Sequence, residues 1–262
     1  MENNELTLEQ HINELRKRLM TVTVFFVINV IIGLFIAKPL IHFLQYSEHA
    51  KALQLHAFNV TDPLKIFFQA DFIIALVLTM PVMMYQLWTY VSPGLYAYER
   101  KATLRYIPYV VLLFVVGVLF SYNILFPYIM KFMMEWSQQM NVQQTIGINE
   151  YFQFLFKITI PFGFVFQLPV IMHFVARIGL VTPMWMARVR KYAYFSLLVI
   201  AAIIAPPEVV SHLMITIPLC ILYEISIWIA RLGYRKYVRS ERKRLTELGM
   251  EKDTIDDMLK GN

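Results

Sequence analysis

Two glutamates lie among basic and aromatic residues, in surroundings that suit recognition of a positively charged group. Glu14 stands just before a basic run at 16–18, and Glu99 lies in a turn-rich segment that begins at Ser92. A carboxylate binds a planar guanidinium in a bidentate manner that an ammonium cannot match. Glu14 could instead pair with Arg18 one helical turn away, a local contact of about 0.3–0.5 kcal/mol. Two alternatives therefore stay open: local ion pairs, or a site for arginines of a partner peptide.

Polar residues inside apolar stretches form a second group of candidates. Gln167 lies ten residues before Arg177, about 15 Å from the membrane edge and thus near the midplane. Pro161 and Pro169 flank it and are expected to loosen the helix there. A midplane amide can bond a partner helix, whereas satisfaction by a neighbouring backbone carbonyl is the alternative.

Two acidic residues complete this set. Glu224 lies in the last apolar run, seven residues before Arg231, and burying its charge would be costly. We expect it to be neutral or paired, with Arg177 as the candidate partner. Asp71 lies about six residues inside the second apolar run, and we expect it to snorkel or pair near the edge.

No catalytic or cofactor motif accompanies these residues. The chain lacks a phosphate-binding G-x-x-x-x-G-K, a zinc-binding H-E-x-x-H and a G-x-S-x-G nucleophile motif. Its single cysteine, Cys220, lies in an apolar run and permits no disulfide within the chain. We therefore expect no enzyme, no metal site and no cofactor. The net charge of +6 follows membrane topology, so no nucleic-acid partner is expected.

Membrane helices must position the candidate residues. Of the 262 residues, 58% are hydrophobic, and the mean hydropathy of +0.53 is too high for a water-exposed domain. This predicts an all-α polytopic membrane protein. Apolar runs long enough to cross a bilayer predict six spans, near 19–37, 65–88, 106–127, 154–176, 192–205 and 209–230.

The basic residues predict the orientation of these spans. Of the 24 lysines and arginines, 19 fall in the two tails and in the loops at 89–105 and 177–191, all on one side of a six-span topology. That side is expected to face the cytoplasm, together with both termini. The chain then divides into a cytoplasmic amphipathic tail at 1–18, a six-span membrane domain at 19–230 and a basic tail at 231–262.

The fifth span is unusually short. Its apolar part runs from Tyr192 to Ala205, about 21 Å of helix against a hydrocarbon core of about 30 Å. The hairpin of the last two spans is therefore expected to thin the bilayer locally. The alternative starts this helix near Thr182, with basic side chains snorkelling. On the outer side, Ile41–Leu44 and Met130–Trp136 are predicted to form short amphipathic surface helices.

Several stretches together resemble the TatC family, the multispan subunit of the twin-arginine protein translocase. The similarity extends from His11 to Lys236. Its most specific stretches are Glu-Leu-Arg-Lys-Arg at 14–18, Pro-Val-Met-Met-Tyr-Gln-Leu-Trp at 81–88, Ser-Pro-Gly-Leu-Tyr-Ala-Tyr-Glu-Arg at 92–100, and the segments at 161–169, 205–208 and 218–224.

The resemblance implies a cup-shaped six-helix bundle capped by outer segments, in the bacterial cytoplasmic membrane. It implies recognition of Arg-Arg signal peptides at the cytoplasmic face, with Glu14 and Glu99 on the family's two signal-recognition positions. The other residues expected at that site are Leu15, Arg16, Arg18, Tyr90, Pro93, Leu95 and Tyr96.

The resemblance further implies export of folded proteins by the proton motive force, with TatA-type and TatB-type single-span subunits and self-association. Expected contacts to partner helices are Gln167, Glu208 and Glu224. Gln167 stands where many members of the family have glutamate, and Glu208 where aspartate is usual.

The alternative function is a proton- or ion-coupled small-solute transporter that uses Asp71, Gln167 and Glu224. Such transporters usually show internal repeats with broken helices in matching halves. The sequence shows no such repeat, and its short final hairpin has no counterpart in the first half. A receptor and scaffold for protein export is therefore the preferred interpretation.

Overall fold

The computed structural model describes residues 8–51, 53, 55–91, 106–142, 144–205, 208–247, 249, 250 and 254. Within this part the chain is helical, and the only β-type pairing is an isolated bridge between His56 and Gly147. The helices are α1 Leu8–Gln45, α2 Glu48–Lys51, α3 Asp62–Val91, α4 Tyr106–Phe120, α5 Phe126–Gln139, α6 Ile148–Val165, α7 Leu168–Arg177, α8 Pro183–Arg188, α9 Arg190–Ile204 and α10 Val209–Glu247.

In the part of the chain that the structure describes, five helical stretches are long and apolar enough to cross a membrane, and they match the predicted spans one to four and six. They cover Ile12–Gln45, Asp62–Leu87, Pro108–Gln139, Ile148–Arg177 and Val209–Glu247. The prediction of an all-α polytopic membrane protein is confirmed.

The predicted fifth span corresponds to α9, which has only 15 residues. That is about 22 Å of helix. A helix does begin at Pro183, where the Thr182 side chain accepts the Trp185 N–H at 3.2 Å. It ends at Arg188, and Val189, with φ −88° and ψ 9°, separates it from α9. The structure confirms that this helix is short, because it does not merge with the helix at Pro183–Arg188.

The two outer surface helices were predicted wrongly as separate elements. Ile41–Leu44 is the last part of α1, which continues through Pro39. Membrane helices tolerate such a proline because local adjustments satisfy the freed carbonyl. Met130–Trp136 lies within α5, which joins α4 through a π-helical turn at Ser121–Leu125. That turn absorbs a change in helical register, so no break is needed.

The chain forms two compact units, and the first comprises residues 1–112 and 122–160. Its main contact is between α1 and α3. There Asn29 Nδ2 donates a hydrogen bond to Thr79 Oγ1 at 2.9 Å, and both side chains are buried. The rings of Phe26 and Phe72 meet edge to face with centroids 5.3 Å apart. An interhelical hydrogen bond of this kind links helices where lipid offers no polar partner.

The connecting segments of the first unit are also tied together. His56 donates its backbone N–H to Ile146 O at 3.0 Å and accepts the Ile148 N–H at 2.8 Å. Beside this bridge, α5 packs on α6 through Phe126, whose ring lies 5.3 Å from that of Tyr151. Phe126 and Tyr151 are both fully buried. The backbone at His56, before α3, is thus hydrogen-bonded to the residues at the start of α6.

The second unit comprises residues 113–121 and 161–262. Its main contact is between α7 and α10, where His173 Nδ1 lies 3.0 Å from Ile229 O. Gly233 allows this close approach, because a Cβ there would collide with the His173 carbonyl. The helix α10 continues without interruption past Ala230 to Glu247. The expected boundary at 230 between membrane domain and tail therefore does not coincide with the end of a helix.

Candidate functional site

Glu14 and Arg18 form a polar corner at one end of the α1–α3 pair. Arg18 Nη2 donates to Glu14 Oε1 across one turn of α1, and Arg18 Nη1 lies 3.4 Å from Gln86 Oε1 on α3. The side chains of Arg18 and Glu14 are 17% and 26% exposed. The local ion pair considered from the sequence therefore exists in the structure. It fixes the position of the carboxylate on the helix and leaves part of it accessible.

The geometry of this corner permits a further cation. Arg18 supplies one hydrogen bond to Glu14 through a single oxygen, so the pair is monodentate. An incoming guanidinium can approach a partly exposed carboxylate and make the two parallel bonds that Arg18 does not make. Next to it, Leu15 is 50% exposed and Arg16 is exposed. These side chains offer an apolar and a basic surface beside the carboxylate.

The other residues predicted for this site are only partly covered by the structure. Tyr90 lies in the last turn of α3, four residues after Gln86, which places its backbone at the same end of the helix. Pro93, Leu95, Tyr96 and Glu99 lie outside the described residues.

Gln167 occupies the break between α6 and α7. The helix stops at Val165, and α7 restarts with Pro169 in its first turn. Gln167 Nε2 lies 3.4 Å from Gly163 O, and the residue is only 1% exposed. The loosening expected from the flanking prolines is confirmed. Of the two alternatives predicted for Gln167, the structure shows the contact to a neighbouring backbone carbonyl. This contact keeps the amide inside the second unit.

Glu224 lies at the centre of a polar cluster between α9 and α10. Arg190 donates from Nε to Glu224 Oε1 at 2.7 Å and from Nη2 to Oε2 at 2.8 Å. Tyr194 donates its hydroxyl to Oε1 at 2.5 Å. From the sequence, Glu224 was expected to be either neutral or paired, and the structure shows it paired. The partner proposed from the sequence, Arg177, was wrong. Antiparallel packing of the short hairpin brings Arg190 to Glu224.

This cluster stays accessible at its edge. The side chains of Arg190 and Glu224 are 42% and 39% exposed, despite their bidentate pairing. The ring of Tyr194 packs edge to face on Tyr223, whose hydroxyl donates to Met186 O on α8 at 3.0 Å. Hydrogen bonds therefore connect three helices around one carboxylate, and part of it still faces outward.

Glu208 directly precedes α10, and its backbone carbonyl accepts the His212 N–H at 3.1 Å. Its Oε2 atom is buried with no hydrogen-bond partner among the described residues. Sequence reasoning missed the role of Asn29 and Thr79 as an interhelical pair. The signal was present, because each is a polar residue in the middle of an otherwise apolar run.

Asp71 was placed wrongly by the sequence argument. It does not snorkel or pair at the edge of α3: it is 4% exposed, and its Oδ1 has no hydrogen-bond partner in the described part of the chain. It faces α1 at Gly33, where a Cβ would collide with Oδ1. The acidic side chain is therefore enclosed between two helices rather than directed to a surface.

Comparison with known proteins identifies the family to which these helices belong. Residues 10–218 match the family described as Sec-independent protein translocase protein (TatC). The chain is 59% identical to TatCy of Bacillus subtilis (strain 168) over 240 residues, 92% of this chain and 94% of the relative. It is 48% identical to TatC of Halalkalibacterium halodurans over 251 residues, 96% of this chain and 99% of the relative.

A solved structure agrees with these sequence matches. The crystal structure described as the twin-arginine translocase receptor TatC superposes with a TM-score of 0.75 at 31% identity, over 85% of this chain and 99% of that one. The matched family is a protein translocase component rather than a known class of enzyme. These matches favour protein transport over the alternative of a small-solute transporter. The chain belongs to the TatC family and is a membrane-spanning component of the bacterial Sec-independent protein translocase.

Proposed function

We propose that this chain is the receptor and scaffold of its translocase and binds signal peptides that carry an Arg-Arg pair. The observation that supports this most directly is the Glu14 corner, where a partly exposed carboxylate is held in place by one monodentate contact to Arg18. A peptide arginine would add a bidentate contact to that carboxylate. Glu99 would supply the second carboxylate, with Leu15, Arg16, Tyr90, Pro93, Leu95 and Tyr96 around the peptide.

The peptide site is proposed to face the cytoplasm, because the basic residues concentrate on that side of the spans. Both termini then lie inside the cell, and the chain resides in the cytoplasmic membrane. The cytoplasmic tails would be 1–18 and 231–262, although α10 carries the last span into the C-terminal tail as one helix.

Partner recruitment is the second part of the proposal. TatA-type and TatB-type single-span subunits would dock beside the short hairpin formed by α9 and α10, and export of folded cargo would be driven by the proton motive force. Of the proposed contacts, Glu224 is accessible at 39% side-chain exposure. Gln167 is buried, so a partner helix would reach it only after the neighbouring segments move. Glu208 directly precedes α10 with Oε2 buried, so a partner helix would reach that oxygen only after a similar movement. Copies of the chain would also associate within the active complex.

The test of the receptor function is peptide affinity. Charge-assisted hydrogen bonds contribute about 1.5–3 kcal/mol. Glu14→Ala should therefore weaken binding of a twin-arginine peptide by about ten- to a hundredfold. Glu14→Gln keeps the shape and removes the charge, so its loss should be nearly as large. If Glu99 acts on the same arginine pair, the losses in Glu14→Ala and Glu99→Ala should not add.

Glu135→Ala is the matched control. Glu135 also pairs with a basic residue one turn away, Lys131 at 3.8 Å, and is 57% exposed. In the proposed topology it lies on the outer side, so its loss should leave affinity unchanged. Normal affinity in both Glu14→Ala and Glu99→Ala, at normal membrane levels, would rule out the receptor proposal.

A further inference from the structure

Asp71 is a buried carboxyl group that peptide recognition does not use. It lies nine residues after the start of α3 at Asp62, about 13 Å along the helix. The residue is 4% exposed, and Oδ1 has no hydrogen-bond partner within the described ranges. A carboxyl in such a place needs a physical explanation, because nearly all buried polar atoms in proteins are hydrogen-bonded.

The residues of α1 that lie opposite Asp71 are small and apolar. Gly33 and Ala37 are buried one turn apart. A Cβ on Gly33 would collide with Asp71 Oδ1 and would lie 3.0 Å from the Asp71 backbone oxygen. Only glycine allows the two backbones to come this close. The carboxyl is thus pressed against the backbone of α1, with no side chain between them.

Among the residues that the structure describes, no basic side chain compensates for a charge at this point. On α1 the nearest basic residues along the chain are Arg18, paired with Glu14, and Lys38, which is exposed. On α3 the nearest charged residues are Asp62 and Lys65, which pair with each other at 3.6 Å. Among the described residues, Asp71 has no ion-pair partner.

An isolated carboxylate in such a place is very costly, whereas a neutral carboxylic acid is tolerated. We propose that Asp71 is a proton-binding site, in which the carboxyl carries a proton while α1 and α3 are packed against each other. Hydronium from the aqueous phase nearest Asp62 donates the proton to the carboxylate, leaving water and a neutral acid. Release of the proton requires water to enter between the two helices, so ionisation and loosening of the α1–α3 contact occur together.

The protonated state can be observed directly by infrared difference spectroscopy of the full-length protein in lipid nanodiscs. A neutral carboxylic acid shows a C=O stretch that a carboxylate lacks. At neutral pH this band should be present in the wild type and absent in Asp71→Asn. Asp62→Asn is the control: Asp62 is equally buried, but it accepts the Asn59 N–H at 2.8 Å and pairs with Lys65, so the band should remain.

The coupling to helix packing has its own readout. The neutral carboxyl fits the packed contact and the carboxylate does not, so the wild type should lose thermal stability as pH rises through the value at which Asp71 ionises. Asp71→Asn stays neutral and should lack this downward shift in melting temperature. If the asparagine variant does not reach the membrane, Asp71→Leu serves instead, because it also keeps the site uncharged.

Two outcomes would overturn the inference. If the carboxyl band of Asp71→Asn is the same as that of the wild type, Asp71 is ionised in the wild type and holds no proton. Identical pH profiles of melting temperature in wild type and variant mean that proton binding is not linked to the α1–α3 contact. Neither result bears on peptide affinity at Glu14, so this inference and the receptor proposal can fail separately.

Discussion

The short hairpin of α9 and α10 leads to a prediction about bilayer thickness. The 15 residues of α9 reach about 22 Å, which leaves a shortfall of about 8 Å against a hydrocarbon core of about 30 Å. At a fraction of a kcal/mol per Å, accommodating this mismatch costs on the order of 2–4 kcal/mol. Local thinning of the bilayer would lower the cost of placing other short helices beside it.

The perturbation is to lengthen both arms of the hairpin at its turn. Four leucines inserted after Ile204 and four before Val209 add about 6 Å to each helix. Paired insertions are needed, because lengthening only α9 would shift Arg190 relative to Glu224 and break their contact. The lengthened hairpin should match the bilayer and remove most of the thinning. If half of the estimated mismatch energy, about 1–2 kcal/mol, is lost to partner docking, export should fall by about five- to thirtyfold.

The assay measures export of a folded reporter, with binding of a twin-arginine peptide determined in parallel. The control carries Gly-Ser insertions of equal length at the same two points, which enlarge the turn without extending the apolar helices. Export should fall in the leucine variant and stay close to normal in the control. Peptide affinity should be unchanged in both. Normal export by the leucine variant, at normal membrane levels, would refute the link between hairpin length and partner docking.

Two further predictions concern stability and topology. In a double-mutant cycle of thermal unfolding, Asn29→Leu and Thr79→Val should show a coupling energy of about 0.6 kcal/mol, and at most about 2 kcal/mol, as expected for a membrane hydrogen bond. Strictly additive losses of stability would mean that the 2.9 Å hydrogen bond between these side chains stabilises nothing. In a chain with Cys220 replaced by alanine, an impermeant thiol reagent outside intact cells should label Met140→Cys and not Leu245→Cys, and the reverse pattern would invert the topology.

Composition and proline placement were enough to predict much of the fold. The helix break at Gln167 follows from Pro161 and Pro169, because each removes a backbone donor within a few residues of it. The short fifth span follows from the distance between Tyr192 and Ala205. Both are local properties of the chain, so the sequence alone carries them.

The partners of buried charges were harder to predict, because they depend on helix packing. Arg190 and Glu224 are equally far along the chain from position 207, and an antiparallel helix pair places such residues side by side. That rule identifies the pair from the sequence. Asp71 had no such signal: its burial depends on which face of α3 meets Gly33, and the apolar run around it is nearly uniform.

The continuous helix α10 has a mechanical consequence. Its 17 residues after Ala230 extend about 25 Å from the last apolar turn. Gly233 packs against the His173 carbonyl and Tyr237 lies against Gly179, so the extension rests on the end of α7. Because α10 is one continuous helix, a tilt of its apolar part by about 10° would displace Glu247 by about 4 Å. A spectroscopic probe near Glu247 would then report a tilt of the apolar part of α10.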